Sequence, residues 1–151
     1  MPSEVLSLSA SGHRAPPEST GVEPIVVRGC TLAVVLRRDA APAASGFVSA
    51  PHDELQMGVR RYAASDAVAP HVHRPITRHL HGTGEFLLVR DGHCVVDVYD
   101  AEERVIAEVE LRKGDGVMLL AGGHGIRMLA DTSLLEIKQG PYGGPAEKRR
   151  F

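Results

Sequence analysis

The feature that most constrains this chain is its punctuation. From residue 85 onward, short apolar runs are cut by glycine turns, and no segment carries a helical period of useful length. Asp91-Gly92 separates an apolar run at 85–89 from a second at 94–99. Asp-Gly between two such runs is a hairpin signal, because a tight turn needs positive φ at both central residues. In 105–111, Val105, Ala107, Val109 and Leu111 alternate with Glu108 and Glu110, with Ile106 as the one exception. A period of two argues a half-buried strand, even though 102–110 is helix-forming in composition. Gly114-Asp115-Gly116 is the next turn, and strands are expected at 117–120, 126–129 and 134–137. Upstream, β-branched residues mark 25–27 and 31–36, shorter strands are expected at 47–49 and 57–62, and 39–45 is a loop. Many short strands with turns between them predict an all-β sandwich or closed barrel.

A length of 151 residues suits one domain. Residues 1–21, with Pro2, Gly12, Pro16, Pro17, Gly21 and several serines, read as a flexible tail. The barrel is assigned to 22–140, and a C-terminal tail with the basic cluster Lys148-Arg149-Arg150 to 141–151. The net charge is −2 and aromatics make up 4% of the chain, with no Trp. Neither an excess of basic residues nor stacking platforms are available, so no nucleic-acid partner is expected. No apolar run approaches the roughly 20 residues that span a bilayer, so no membrane partner is expected either. Residues 1–20 lack the charged start and apolar stretch of a secretion signal, which leaves the cytoplasm as the default location. Cys30 and Cys94 are far apart and read as two separate core thiols rather than a disulfide.

The chemistry concentrates in histidine. Six of the eight histidines lie between 71 and 124, and four of them form two H-x-H pairs, His71/His73 and His79/His81. In an extended strand, residues i and i+2 point to the same side, so each pair can aim two imidazoles at one point. Convergent neutral nitrogens are what a transition metal needs. Glu85 follows His81 across Gly82-Thr83-Gly84, and a turn there would bring its carboxylate to the histidines. His124, in the loop-like Ala121-Gly122-Gly123-His124-Gly125, can supply a ligand from the opposite wall. Three histidines and a carboxylate leave positions open for water or substrate, and suit Fe, Mn, Ni, Co, Cu or Zn as a divalent transition-metal cofactor. His93 follows the hairpin turn and is expected at the surface, as are His13 and His52 in loops. Arg78 reads as a solvated charge, with capture of a carboxylate or phosphate as the alternative. The glycine-rich 122–125 has neither the Lys nor the helix of a phosphate loop.

The stretch from His79 to Gly92 resembles the first motif of the cupin superfamily: H-x-H, a short spacer, Glu, six residues, Gly. Gly114-Asp115 through His124 resembles the second, which opens on Gly-Asp and ends in a metal-binding His. His73 stands where the first motif usually has Gly, Leu120 stands for the usual Pro of the second, and the spacer before His124 is one residue short. The likeness covers roughly 57–137. The segment Lys138-Gln139-Gly140-Pro141-Tyr142 is similar to that of small single-domain bacterial cupin-like proteins. The resemblance implies a jelly-roll barrel with a metal held by an H-x-H pair, Glu85 and His124. Pro70-His71-Val72-His73 also looks like the start of a cupin metal strand. Spacing to Glu85 favours His79/His81, and His71/His73 remains the alternative.

Two functions follow from this reading. One is a metalloenzyme on a small organic molecule, of isomerase, epimerase or dioxygenase type, with sugar derivatives among the substrates of similar proteins. The other is a non-catalytic module binding a small ligand or metal. No residue is assigned a catalytic role. Cupins commonly pair through strand exchange or sheet packing, and the apolar 22–36 region suits that role, so a homodimer is expected.

Overall fold

The computed structural model describes residues 21–42 and 44–151, and the N-terminal tail expected at 1–21 lies, but for Gly21, outside them. Ten strands form: β1 (Val22–Val27), β2 (Cys30–Leu36), β3 (Gly46–Phe47), β4 (Gly58–Val59), β5 (Glu85–Asp91), β6 (His93–Tyr99), β7 (Val105–Arg112), β8 (Gly116–Leu119), β9 (Gly123–Met128) and β10 (Ser133–Lys138). One 3-10 turn at Pro145–Glu147 is the only helical element among the described residues. The described residues are therefore all-β, and every strand pair among them is antiparallel. No helix among the described residues is long and apolar enough to cross a membrane.

Two sheets carry the fold. The larger has the order β1-β2-β8-β5-β10, the smaller β7-β6-β9, and among the described residues β3 pairs with β4 alone. Alternation decides which side chains meet between the sheets. On β7, Ala107, Val109 and Leu111 are buried while Glu108, Glu110 and Arg112 are exposed, as the period of two requires. On β6, Cys94, Val96 and Val98 face the same way, and on the larger sheet Val35, Leu87, Val89, Val117 and Leu119 do. These residues form a single buried cluster, so the two sheets pack face to face over one core. Val34 and Met118, paired in register, are 2% and 1% exposed although they alternate with core residues and so sit on the opposite face. The large sheet is thus covered on both sides at its centre, which is why Leu32–Val35 reads as an unbroken apolar run.

The turn expected at Asp91-Gly92 forms, with Gly92 at φ 93°, but the expected hairpin does not. Strand β5 pairs with β8 and β10, and β6 with β7 and β9, so the turn carries the chain from the large sheet to the small one. A side chain there would lie 2.2 Å from the Asp131 carbonyl oxygen, so the turn admits only glycine. Three further expectations shift. The strand expected at 57–62 shrinks to Gly58–Val59, held by two register pairs to Gly46–Phe47. His124 lies inside a strand, β9, rather than in a loop, because Gly123 and Gly125 on either side let the backbone run flat against Tyr99 of β6. Of the two cysteines only Cys94 is a core thiol, for Cys30 is exposed at the start of β2.

Candidate functional site

Glu85 opens β5 in the large sheet and His124 lies on β9 in the small one. Glu85 is 5% exposed, and alternation with Phe86 turns its side chain inward beside Leu119, its register partner on β8. His124 pairs with Val98 of β6, whose side chain is in the core, so the imidazole points between the sheets. The two groups meet there, with His124 Nε2 3.1 Å from Glu85 Oε2. This contact joins a carboxylate and an imidazole that no backbone ladder connects directly.

The pair lies in a cavity of about 790 Å3, which Tyr99, Lys138 and Phe151 also line. The C-terminal segment closes one side of it. The Phe151 ring stands edge-on to Tyr99 at 5.2 Å between centroids, and Arg149 is ion-paired to Glu103 at 2.6 Å. The basic cluster expected to be only a solvated tail therefore contributes to the cavity wall.

The other candidate ligands lie elsewhere. Residues 60–84 form no strand, and 71–83 are exposed throughout. Pro70 and Pro75 offer no amide to a ladder, so the segment pairs with no strand although the H-x-H spacing invites one. His71 donates from Nδ1 to the Ala69 carbonyl at 2.9 Å and stands edge-on to His73 at 5.3 Å. His79 lines a second hollow of about 550 Å3 with Arg78, Leu80 and Glu54. His81 is engaged by Glu54, with Nδ1 2.7 Å from Oε1 and its backbone amide donating to both carboxylate oxygens at 3.0 and 3.2 Å. That hydrogen bonding from His81 holds the Glu54 carboxyl below the ordinary glutamate range. Arg78 is exposed, as expected. His93 is more enclosed than expected, at 21% side-chain exposure, because Glu110 across the β6–β7 pair takes its Nε2 at 2.7 Å.

Among the described residues, no group of three or more His, Cys, Asp or Glu side chains is placed so that it can hold a metal ion. Of the sequence-expected set, the structure unites Glu85 with His124 and leaves His71, His73, His79 and His81 apart from them. Sequence reasoning missed Glu54, which nothing in its surroundings marks, and Lys138. The latter is legible only once β10 is registered against β5, where Lys138 lies opposite Glu85.

Comparison with known proteins yields no match to a protein-family model and no match among curated proteins.

Proposed function

We propose that this chain is a jelly-roll barrel of the cupin kind that binds a divalent transition metal and acts on a small organic molecule. The observation that carries the reading is the buried carboxylate of Glu85 facing His124 across the two sheets at 3.1 Å, inside a cavity of about 790 Å3. A carboxylate and an imidazole on opposite walls make half of a mixed N/O ligand set. The remaining nitrogens come, in this reading, from one of the two H-x-H pairs once the 60–84 segment docks against the barrel. Two features support that step. The β9 strand, which carries His124, has one edge unpaired among the described residues. In an extended 68–81 segment the histidines all fall on one side, and Val68, Val72, Ile76 and Leu80, which are exposed here, all fall on the other.

A metal held by these residues would supply Lewis-acid activation of a carbonyl, or oxygenation chemistry, at its open positions. Glu85 and His124 would hold and orient it, and the C-terminal segment along the cavity would limit water there.

The test is the metal content of the purified protein beside Glu85→Gln, His124→Ala, His79→Ala and His71→Ala. Loss of metal in the first two is expected, and the third and fourth identify the pair. Unchanged metal in both Glu85→Gln and His124→Ala rejects the reading. Screening the loaded protein with sugar nucleotides and with keto and dihydroxy acids under O2 tests catalysis, and no turnover with any metal leaves a binding module instead.

A further inference from the structure

We propose that the cavity over Glu85 and His124 binds a small organic monoanion, a carboxylate, whose charge is received by Lys138. The inference rests on the reading that this cavity is the ligand site, and not on the presence of a metal. Lys138 closes β10 directly opposite Glu85 in the antiparallel register, so both side chains leave the sheet on its inner face. Its side chain is 18% exposed and lines the cavity. Such an enclosed ammonium ordinarily spends its three donors on close acceptors. Here the nearest carboxylates are Glu147 at 3.6 Å and Glu136 at 4.0 Å, both beyond hydrogen-bond reach, and the Tyr142 ring lies beneath it at 4.4 Å. Glu147 divides its oxygens, Oε1 accepting the Gly143 amide at 3.0 Å while Oε2 faces Lys138. Lys138 is therefore held by an aromatic face and by two ion pairs too long for hydrogen bonds, which leaves its donors able to turn to a ligand.

The acids of the wall all have partners, and among the described residues its charges without an ion pair are basic. Lys148 and Arg150 line the cavity and form no ion pair among the described residues, whereas the cavity acids Glu103 and Asp100 are engaged by Arg149 and Arg104. The carboxylates of Glu85, Glu136 and Glu147 around Lys138 disfavour a dianion such as phosphate, and that is why a singly charged carboxylate is the fitting class.

The test uses the full chain, with pyruvate as the probe, its neutral amide as the uncharged control and inorganic phosphate as the competing anion. Binding is read by calorimetry, and metal content is measured on the same samples. Pyruvate is expected to bind and the amide to bind about tenfold more weakly or worse. Lys138→Met, which keeps the stem over Tyr142, is expected to lose that preference at unchanged metal content, and Lys138→Arg to retain part of it. The proposal is overturned if pyruvate and its amide bind equally, if pyruvate does not bind, if phosphate binds more tightly than pyruvate, or if Lys138→Met and the parent protein bind pyruvate alike. A Lys138-dependent preference in protein that holds no metal sustains this proposal while the metal reading fails.

Discussion

Arg127 of β9 clasps Asp97 of β6 through two parallel hydrogen bonds, Nε to Oδ2 at 2.8 Å and Nη2 to Oδ1 at 2.7 Å. Asp97 is 7% exposed, so its charge depends on this fork, and the same contact raises the guanidinium pKa. Glu108 of β7 adds a third contact at 3.0 Å from a more exposed position. Removing the arginine strands a buried carboxylate, whereas removing Glu108 costs little. Arg127→Met is expected to lower the urea midpoint clearly, and Glu108→Gln to shift stability by no more than about 0.5 kcal/mol. A double-mutant cycle of Asp97 and Arg127 should show strong coupling, and additive effects would contradict it.

Gly122 and Gly125 flank His124 yet differ in what they tolerate. Gly122 has φ +72°, and an added side chain would stand 2.1 Å from the Tyr99 carbonyl oxygen. Gly125 has ordinary φ and nothing nearer than 3.9 Å. Gly122→Ala should cost at least about 1–2 kcal/mol from the left-handed backbone alone. Gly125→Ala should stay within about 0.5 kcal/mol. Equal melting temperatures for the two variants would refute this geometry.

Leu111 is fully buried in the core cluster, while Leu129, just past β9, is 53% exposed. Leu111→Ala is expected to destabilise by about 2–5 kcal/mol through lost transfer energy and the cavity left behind. Leu129→Ala should change stability by about 0.5 kcal/mol or less. Chemical denaturation of both variants ranks them directly.

Asp100 accepts the Arg104 side chain at 2.6 and 2.8 Å and the Glu102 and Arg104 amides at 3.0 Å each. Hydrogen bonding from Arg104 holds its carboxyl below the ordinary aspartate range. A depressed folded pKa means that this contribution is complete above the unfolded value, about 3.9, and is lost as pH falls through the folded one. Unfolding midpoints should therefore drop on the acid side of about pH 4. In Asp100→Asn that part of the acid slope should disappear, and an unchanged slope would count against the assignment.

The two thiols should separate kinetically. Cys30 is exposed, whereas Cys94 is fully buried and its pKa is raised by that burial. Ellman's reagent should label one thiol rapidly in native protein and the second only on unfolding. Rapid labelling of both would place Cys94 outside the core.

The strands after residue 85 were legible because their information is local. Asp91-Gly92 marks a turn, although it passes the chain between sheets instead of closing a hairpin, and the Val105-to-Leu111 alternation declares its own buried face. His124 was misplaced in a loop because flanking glycines usually signal a turn, whereas here they permit close approach to β6. Glu85 stood out by its spacing from His81, but its meeting with His124 depends on how two sheets stack, and no periodicity encodes that. The H-x-H pairs illustrate the converse. Their spacing suits a strand, but Pro70 and Pro75 and the pull of Glu54 on His81 leave them outside one.

Among the described residues, strand β9 hangs from β6 alone, and β5 belongs to the other sheet. The gap between Glu85 and His124 is therefore gauged by the thickness of aliphatic filling between two slabs, not by any peptide ladder. Thinning or swelling that filling, at Val96 or Leu87 for example, would retune the spacing of the two groups while every rung of both sheets stayed intact.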